Sequence, residues 1–264
     1  MTPAARERLQ VRTPLLLVSA AAWLLLAVEP SGTAQHAHYS APMLGATPSS
    51  ASVDILLAHN SPVSLAVGWA LMLAAMMAPL LIAPVRHVRD RSFAQRRART
   101  IALFVAGYAA VWMAAGVMLL ALVLAVRLVA PESSVPVALV TIIAVVWQFS
   151  PVKQRCLNRC HAHAELAAFG RAADVDALRF GLTHGVWCVG SCWALMLLPL
   201  LVSRGHIAAM AGVSLWLFAE RLDRPMPPRW RLRGASKAAR LAVAQARMRL
   251  QSSVSVRTTA HRVA

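Results

Sequence analysis

The stretch HGVWCVGSCWALM, residues 184–196, places four side chains with metal-binding donor atoms one helical turn apart. They are an imidazole, two thiols and a thioether: His184, Cys188, Cys192 and Met196. Two thiols at this spacing share a helical face with Cβ atoms about 5–6 Å apart. A disulfide needs Cβ atoms about 3.8 Å apart, so the pair is better suited to one ion bridging both sulfurs. Sulfur and imidazole together favour Cu(I), with Zn(II) as the second choice.

The alternative interpretation is that these side chains only fill space, because cysteine is a common small buried hydrophobe. A histidine within an apolar span is harder to explain in this way, since ionisable groups there are costly and usually functional. The combination favours metal binding. The same segment carries small residues that would let another helix pack closely: Gly181, Gly185, Gly190 and Ser191.

A second Cys-x-x-x-Cys pair, Cys156 and Cys160, lies in the basic stretch QFSPVKQRCLNRCHAHAE with His161 and His163. If residues 152–169 form an interfacial helix, the two thiols share a face. Three neighbouring basic side chains would favour thiolate: Lys153, Arg155 and Arg159. A solvated basic loop with incidental thiols is an equal alternative.

Thioethers occur at similar spacing in WALMLAAMMAPL, where Met72 and Met76 stand four apart, next to Met77 and before the helix-kinking Pro79. Methionines in a membrane helix are usually packing material, so these are candidate ligands only together with the thiols. Further donors lie between Glu29 and Pro62, where a flexible loop is the favoured interpretation: His36, His38, Met43 and His59.

The elements that must position these residues are apolar. Of 264 residues, 58% are hydrophobic and 14% charged, against about a quarter charged in soluble domains. Helices satisfy their own backbone groups in hydrocarbon, so we predict an all-α polytopic transmembrane helix bundle of about six spans. The predicted spans are Pro14–Val28, Ser64–Val85, Ile101–Leu128, Val135–Phe149, Leu178–Val202 and Ile207–Leu222.

The net charge of +17 is distributed in a way that indicates how the chain is oriented in the membrane. Of the 27 Lys and Arg residues, all but Arg127 and Arg204 fall on one side of the six predicted spans. The positive-inside rule then puts both termini in the cytoplasm, which predicts a multi-pass protein of the inner (cytoplasmic) membrane. The basic excess matches anionic lipid, so we expect no nucleic-acid partner. Glu29-Pro30 favours an uncleaved first span over a signal peptide.

This topology puts Cys156 and Cys160 on the cytoplasmic side, and Cys188 and Cys192 roughly 15–21 Å into the fifth span. We divide the chain into an anchor span with a His-containing external loop (1–63), a metal-binding membrane core of five spans (64–225) and a basic cytoplasmic tail (226–264). No Gly-rich phosphate loop, Ser/His/Asp set or close carboxylate pair stands in a span, which argues against an enzyme. Glu220 is expected to pair with a following arginine, Arg221 or Arg224.

Three blocks in order, residues 69–79, 148–160 and 181–196, resemble a bacterial family described as predicted metal-binding integral membrane proteins. Some members are regarded as copper chaperones that help to load tyrosinase-type oxidases. The resemblance implies metal-handling roles for Cys156, Cys160, Cys188 and Cys192, with Met72, Met76 and Met77 in the matching helix. Two departures favour a weaker or different ion: Ser191 stands where many relatives carry a third cysteine, and SRGHIAAM replaces a segment that often contains Met-Asn.

The leading hypothesis is a non-enzymatic, membrane-embedded copper chaperone or copper-handling factor with Cys, His and Met ligands for Cu(I). Its partners would be the lipid bilayer and a copper-dependent oxidase or another copper-accepting protein. The first alternative is a metal or small-solute transporter, although the spans lack the carboxylates that proton-coupled carriers use. The second is a membrane thiol oxidoreductase, which predicts reactive cysteines near the outer face.

Overall fold

The computed structural model describes residues 3–28, 62–129, 135–202, 205–233 and 244. Within these ranges the regular structure is helical and no strand occurs, which confirms the all-α prediction for this part of the chain. The α-helices are α1 (Pro3–Val28), α2 (Pro62–Met77), α3 (Ile82–Asp90), α4 (Arg97–Val129), α5 (Val135–Phe149), α6 (Pro151–Arg159), α7 (Gly170–Leu201) and α8 (His206–Leu222). Short 3₁₀ helices at Ala78–Leu81 and Ala94–Arg96 join α2 to α3 and α3 to α4.

Four helical stretches of the described residues are long and apolar enough to cross a membrane: Leu9–Val28, Val63–Asp90, Ala94–Val126 and Gly170–Leu201. The pair α5 and α6, bent by 65°, adds a fifth if it forms one broken span. The sixth predicted span corresponds to α8, whose 17 residues are at the lower end of the spanning range. The count of about six spans and the orientation of both termini stay predictions.

The proline of the second predicted span changes the helix type locally. The α-helix ends at Met77, Pro79 lies in the first turn of the 3₁₀ helix, and α3 continues to Asp90. A proline cannot donate the helical hydrogen bond at its own position, so a tighter turn there relieves the clash. The stretch from Val63 to Asp90 still runs as one span.

Helix α7 is the central helix of the described bundle. Its most apolar stretch is 61% buried, against 22–39% for the other three candidate spans. It contacts α4, α5, α6 and α8, and its longest contact is with α4. The two helices run parallel, with Phe104 beside Gly181 and Tyr108 beside Gly185. A parallel arrangement is what the predicted topology requires, because a single span of opposite direction separates α4 from α7 along the chain.

Glycines allow α4 and α7 to pack at backbone contact. A Cβ atom on Gly181 would lie 2.1 Å from the carbonyl oxygen of Phe104, and one on Gly107 would lie 2.6 Å from that of Leu178. Backbone atoms cannot move aside as a flexible side chain can. The prediction that small residues on α7 let another helix approach is therefore confirmed at Gly181, and Gly185 is similarly crowded.

Residues 223–233 follow α8 and lie along α6. The amide of Asn158 donates to the carbonyl of Met226 at 2.7 Å, and the backbone N–H of Arg229 donates to the Gln154 side-chain oxygen at 3.1 Å. The first residues of the predicted tail are thus held against the helix that carries Cys156. The external donors His36, His38, Met43 and His59 and most of the basic tail lie outside the described residues.

The close contact between α4 and α7 predicts that a glycine-to-alanine substitution destabilises the protein on α7 but stabilises it on α8. Gly181→Ala should lower the free energy of unfolding by about 1–3 kcal/mol, because the added carbon overlaps backbone. Gly212→Ala on α8 is the matched control, since a Cβ there meets nothing within 4 Å. It should stabilise the helix by about 0.5–1 kcal/mol. Unfolding in detergent measures both, and equal effects would contradict the packing described.

Candidate metal centre

Helix α6 starts at a sharp bend that turns it back towards α7. The Ser150 hydroxyl caps the helix by accepting from the backbone N–H of Val152 at 3.1 Å, and Pro151 occupies the first helical turn. Both residues are preferred at these positions. The helix ends at Arg159 rather than reaching Phe169, so Cys160 lies at its C-terminal cap.

The bend places Cys156 against the middle of α7. Its sulfur would lie 2.8 Å from a Cβ atom on Gly190, the glycine between Cys188 and Cys192. Nearby, the Arg159 guanidinium stacks over the Trp187 ring at 5.7 Å from its centroid. The two Cys-x-x-x-Cys pairs are therefore neighbours, although the sequence suggested different depths for them. All four cysteines are free and buried.

The Cys188 sulfur, 1% exposed, is surrounded by hydrogen-bond donors. The Tyr108 hydroxyl lies 3.3 Å from it, and the Arg221 Nη2 donates to it at 3.3 Å. The buried indole N–H of Trp112, which makes no hydrogen bond, lies near the same sulfur. Donors and positive charge of this kind stabilise the thiolate that a metal ion requires.

Cys192 is the immediate neighbour of that sulfur. The Cys192 thiol donates to the Cys188 backbone carbonyl at 3.0 Å, and the two sulfurs are near enough to act on each other electrostatically. Rotation about one side-chain bond would release this contact and turn the second sulfur towards a bound ion. The pair thus fits a soft ion held by two thiolates.

Arg221 joins the two cysteine pairs. Besides its hydrogen bond to Cys188, its guanidinium is near enough to interact electrostatically with the thiols of Cys160 and Cys192. Its backbone carbonyl lies 3.1 Å from His161 Nε2, which fixes the end of α8 to the loop after α6. Sequence reasoning missed this role, because Arg221 stands at the cytoplasmic end of the last predicted span, where basic anchoring residues are common.

The predicted pairing of Glu220 with Arg221 or Arg224 is wrong. Glu220, 1% exposed, forms an ion pair with Lys153, 2% exposed. Lys153 also donates to Gln148, and the Trp216 indole donates to Glu220 at 3.0 Å. Glu220 points to Lys153 because a buried carboxylate needs a charged partner and this lysine lies in the same interior. The pair fastens α6 to α8.

The His184 ring lies among aromatic rings, with centroids 5.8–6.0 Å from those of Phe104, Tyr108 and Phe180. It is 3% exposed, so the predicted buried position one turn before Cys188 is confirmed. Arg221 is near enough to act on it electrostatically. A ligand role for this ring stays a prediction.

The histidines of the loop after α6 face other partners. The rings of His163 and His87 lie 4.7 Å apart, and His87 Nε2 lies 2.8 Å from the Ala164 carbonyl. Burial lowers the pKa of His163, and repulsion from His87 and Arg86 lowers it further. Both ring nitrogens of His161 lie within 3.1 Å of backbone carbonyls, so neither is directed at the cysteines.

The methionine candidates are buried, which is compatible with packing as well as with ligation. Met72, Met76 and Met196 belong to the same apolar core as Cys188 and Cys192. Helix α2, which carries the first two, contacts α1, α4 and α8. Metal binding by these three methionines stays a prediction.

No closed metal site is formed in this arrangement. Among the described residues, no three His, Cys, Asp or Glu side chains stand close enough to hold one ion. The guanidinium of Arg221 instead lies among the thiols of Cys160, Cys188 and Cys192. The candidate ligands therefore lie around the positively charged side chain of Arg221.

Comparison with known proteins gives one match. The family model PpoB2, described as a copper chaperone, matches residues 66–244. Neither a curated protein nor a solved structure matches the chain.

The buried ion pair between α6 and α8 predicts that substitutions of Lys153 and Glu220 have strongly non-additive effects on the free energy of unfolding. Glu220→Gln should lower the free energy of unfolding by about 3–5 kcal/mol, because it leaves the Lys153 ammonium buried and unpaired. The double variant Lys153→Met/Glu220→Gln should recover most of that loss, and Lys153→Met alone completes the cycle. At the more exposed pair of Arg96 and Asp174, 2.8 Å apart, Asp174→Asn should cost less than about 1 kcal/mol. A double-mutant cycle in detergent measures this, and additive effects at Lys153 and Glu220 would contradict it.

Proposed function

The chain belongs to the PpoB2 copper chaperone family, and from this premise we propose that it is a membrane-embedded chaperone that holds Cu(I) between cysteine thiolates. The family supports a copper-handling, non-catalytic role with a copper-accepting partner. Helices of spanning length support a multi-pass location, which we assign to the inner (cytoplasmic) membrane. Copper is the cargo in this proposal.

The observation that carries the proposal is the convergence of the two Cys-x-x-x-Cys pairs. Residues 28 or more positions apart in sequence approach one another because α6 folds back onto α7, with the Cys156 sulfur against Gly190. Arg221 donates to Cys188 and is near enough to Cys160 to act on it electrostatically. Isolated packing cysteines have no reason to gather in this way, whereas ligands for one soft ion do.

The chemistry that these residues support is ligand exchange. Cys188 and Cys192 are the primary ligands, since they are both buried and stand one helical turn apart on α7. Cys160 approaches from the end of α6, and Cys156 stands one turn before it. His184 and Met196 extend the stripe of α7 by one turn at either end, and Met72 and Met76 lie in the same core.

Transfer to an acceptor proceeds by replacing one sulfur ligand at a time. Each step forms one metal–ligand bond to the incoming donor and breaks one to a cysteine, and the oxidation state of copper does not change. A copper-dependent oxidase is the acceptor that we propose.

Removing the primary ligands should abolish tight copper binding. The purified wild-type protein should bind one Cu(I) per chain in competition with a chromogenic Cu(I) chelator. Cys188→Ser/Cys192→Ser should weaken binding by more than about tenfold, or roughly 1.4 kcal/mol. Ser191→Ala, a buried neighbour on the same helix, is the matched control and should bind as wild type. Equal binding by the cysteine variant would contradict the proposal.

A transporter is the second candidate, and one observation favours it. The buried carboxylate of Glu220 is the kind of group that carriers use and that the sequence did not place inside the bundle. Sealed vesicles containing the protein separate the two functions. A chaperone should bind Cu(I) in proportion to protein and saturate, whereas continued accumulation of the metal in the lumen would establish transport.

A further inference from the structure

We propose that Arg221 restricts the metal centre to soft ions that carry a single positive charge. The inference rests on the proposed function, since it concerns the same thiols. It assigns Arg221 a specificity-determining role without making it a metal ligand.

The position of the guanidinium supports this role. Its Nη2 lies 3.3 Å from the Cys188 sulfur, and the group also acts on the thiols of Cys160 and Cys192 and on the Tyr108 hydroxyl. An ion bound by Cys188 and Cys192 would therefore have a fixed positive charge as its neighbour. The distance is short enough for that charge to matter in an interior of low dielectric constant.

Charge balance then selects the ion. Two thiolates carry two negative charges, and Arg221 supplies one positive charge. A monovalent ion makes the group neutral, whereas a divalent ion leaves one positive charge without a partner in the interior. Divalent Zn(II), which the same thiols would otherwise bind well, is thereby disfavoured.

The neighbouring charges do not upset this balance, because they compensate one another. Lys153 and Glu220 form their own ion pair. Asp223, the residue after α8, interacts with Arg233. Lys153 also acts electrostatically on Cys192, but Glu220 balances its charge. Arg221 is the positive charge that donates to the Cys188 thiol.

The test compares Ag(I), a redox-stable monovalent probe, with Zn(II) on the purified full-length protein. Dissociation constants for both ions are measured by competition with chelators in wild type, Arg221→Gln, Arg221→Leu and Arg221→Lys. The two neutral variants differ in polarity, so at least one should be accepted at this half-buried position. Arg224→Gln, which removes an exposed arginine three residues away, is the matched control.

Neutral variants should lower the preference for Ag(I) over Zn(II) by about tenfold or more, because removing a positive charge favours the divalent ion twice as strongly. Arg221→Lys and Arg224→Gln should keep the wild-type preference. An unchanged ratio in both neutral variants would overturn the inference, as would a parallel loss of both affinities in all three Arg221 variants. Failure of wild type to bind Ag(I) or Cu(I) would instead reject the proposed function.

Discussion

The backbone contact between α4 and α7 is the constraint on which the rest of the centre depends. Glycines at 107 and 181 remove the side chains that would otherwise separate the helices. The approach brings Tyr108 to the Cys188 sulfur and places aromatic rings around His184. It also leaves the other sides of α7 free to receive α5, α6 and α8. A wider spacing would leave Cys188 without its hydroxyl neighbour.

The second organising feature is the pairing of charged side chains inside an apolar helix bundle. A buried ammonium or carboxylate is tolerated only with a partner, and Lys153 and Glu220 meet that condition together. Arg221 meets it differently, because its partners are thiols that can become thiolates. The helix-end arginine, rather than the basic residues next to Cys156 in sequence, is the one that donates to Cys188. This arrangement links metal capture to the electrostatics of the interior.

The sequence predicted those features that depend on local spacing. The periodicity of α7 indicated a buried stripe of His184, Cys188 and Cys192, and its glycines indicated a close helix contact. The docking of α6 could not be predicted, because the bend at Ser150–Pro151 reads equally well as the end of a span. The contacts of Arg221 and Glu220 join helices far apart in the chain, and no local pattern distinguishes such residues from ordinary membrane-edge anchors.

The most direct test of the account is X-ray absorption at the copper edge of the Cu(I)-loaded wild-type protein, which reports the atoms bound to the metal. The account predicts sulfur as the dominant neighbour, supplied by Cys188 and Cys192. A shell containing nitrogen and oxygen without sulfur would contradict it, since the cysteines would then be packing residues and copper would bind elsewhere.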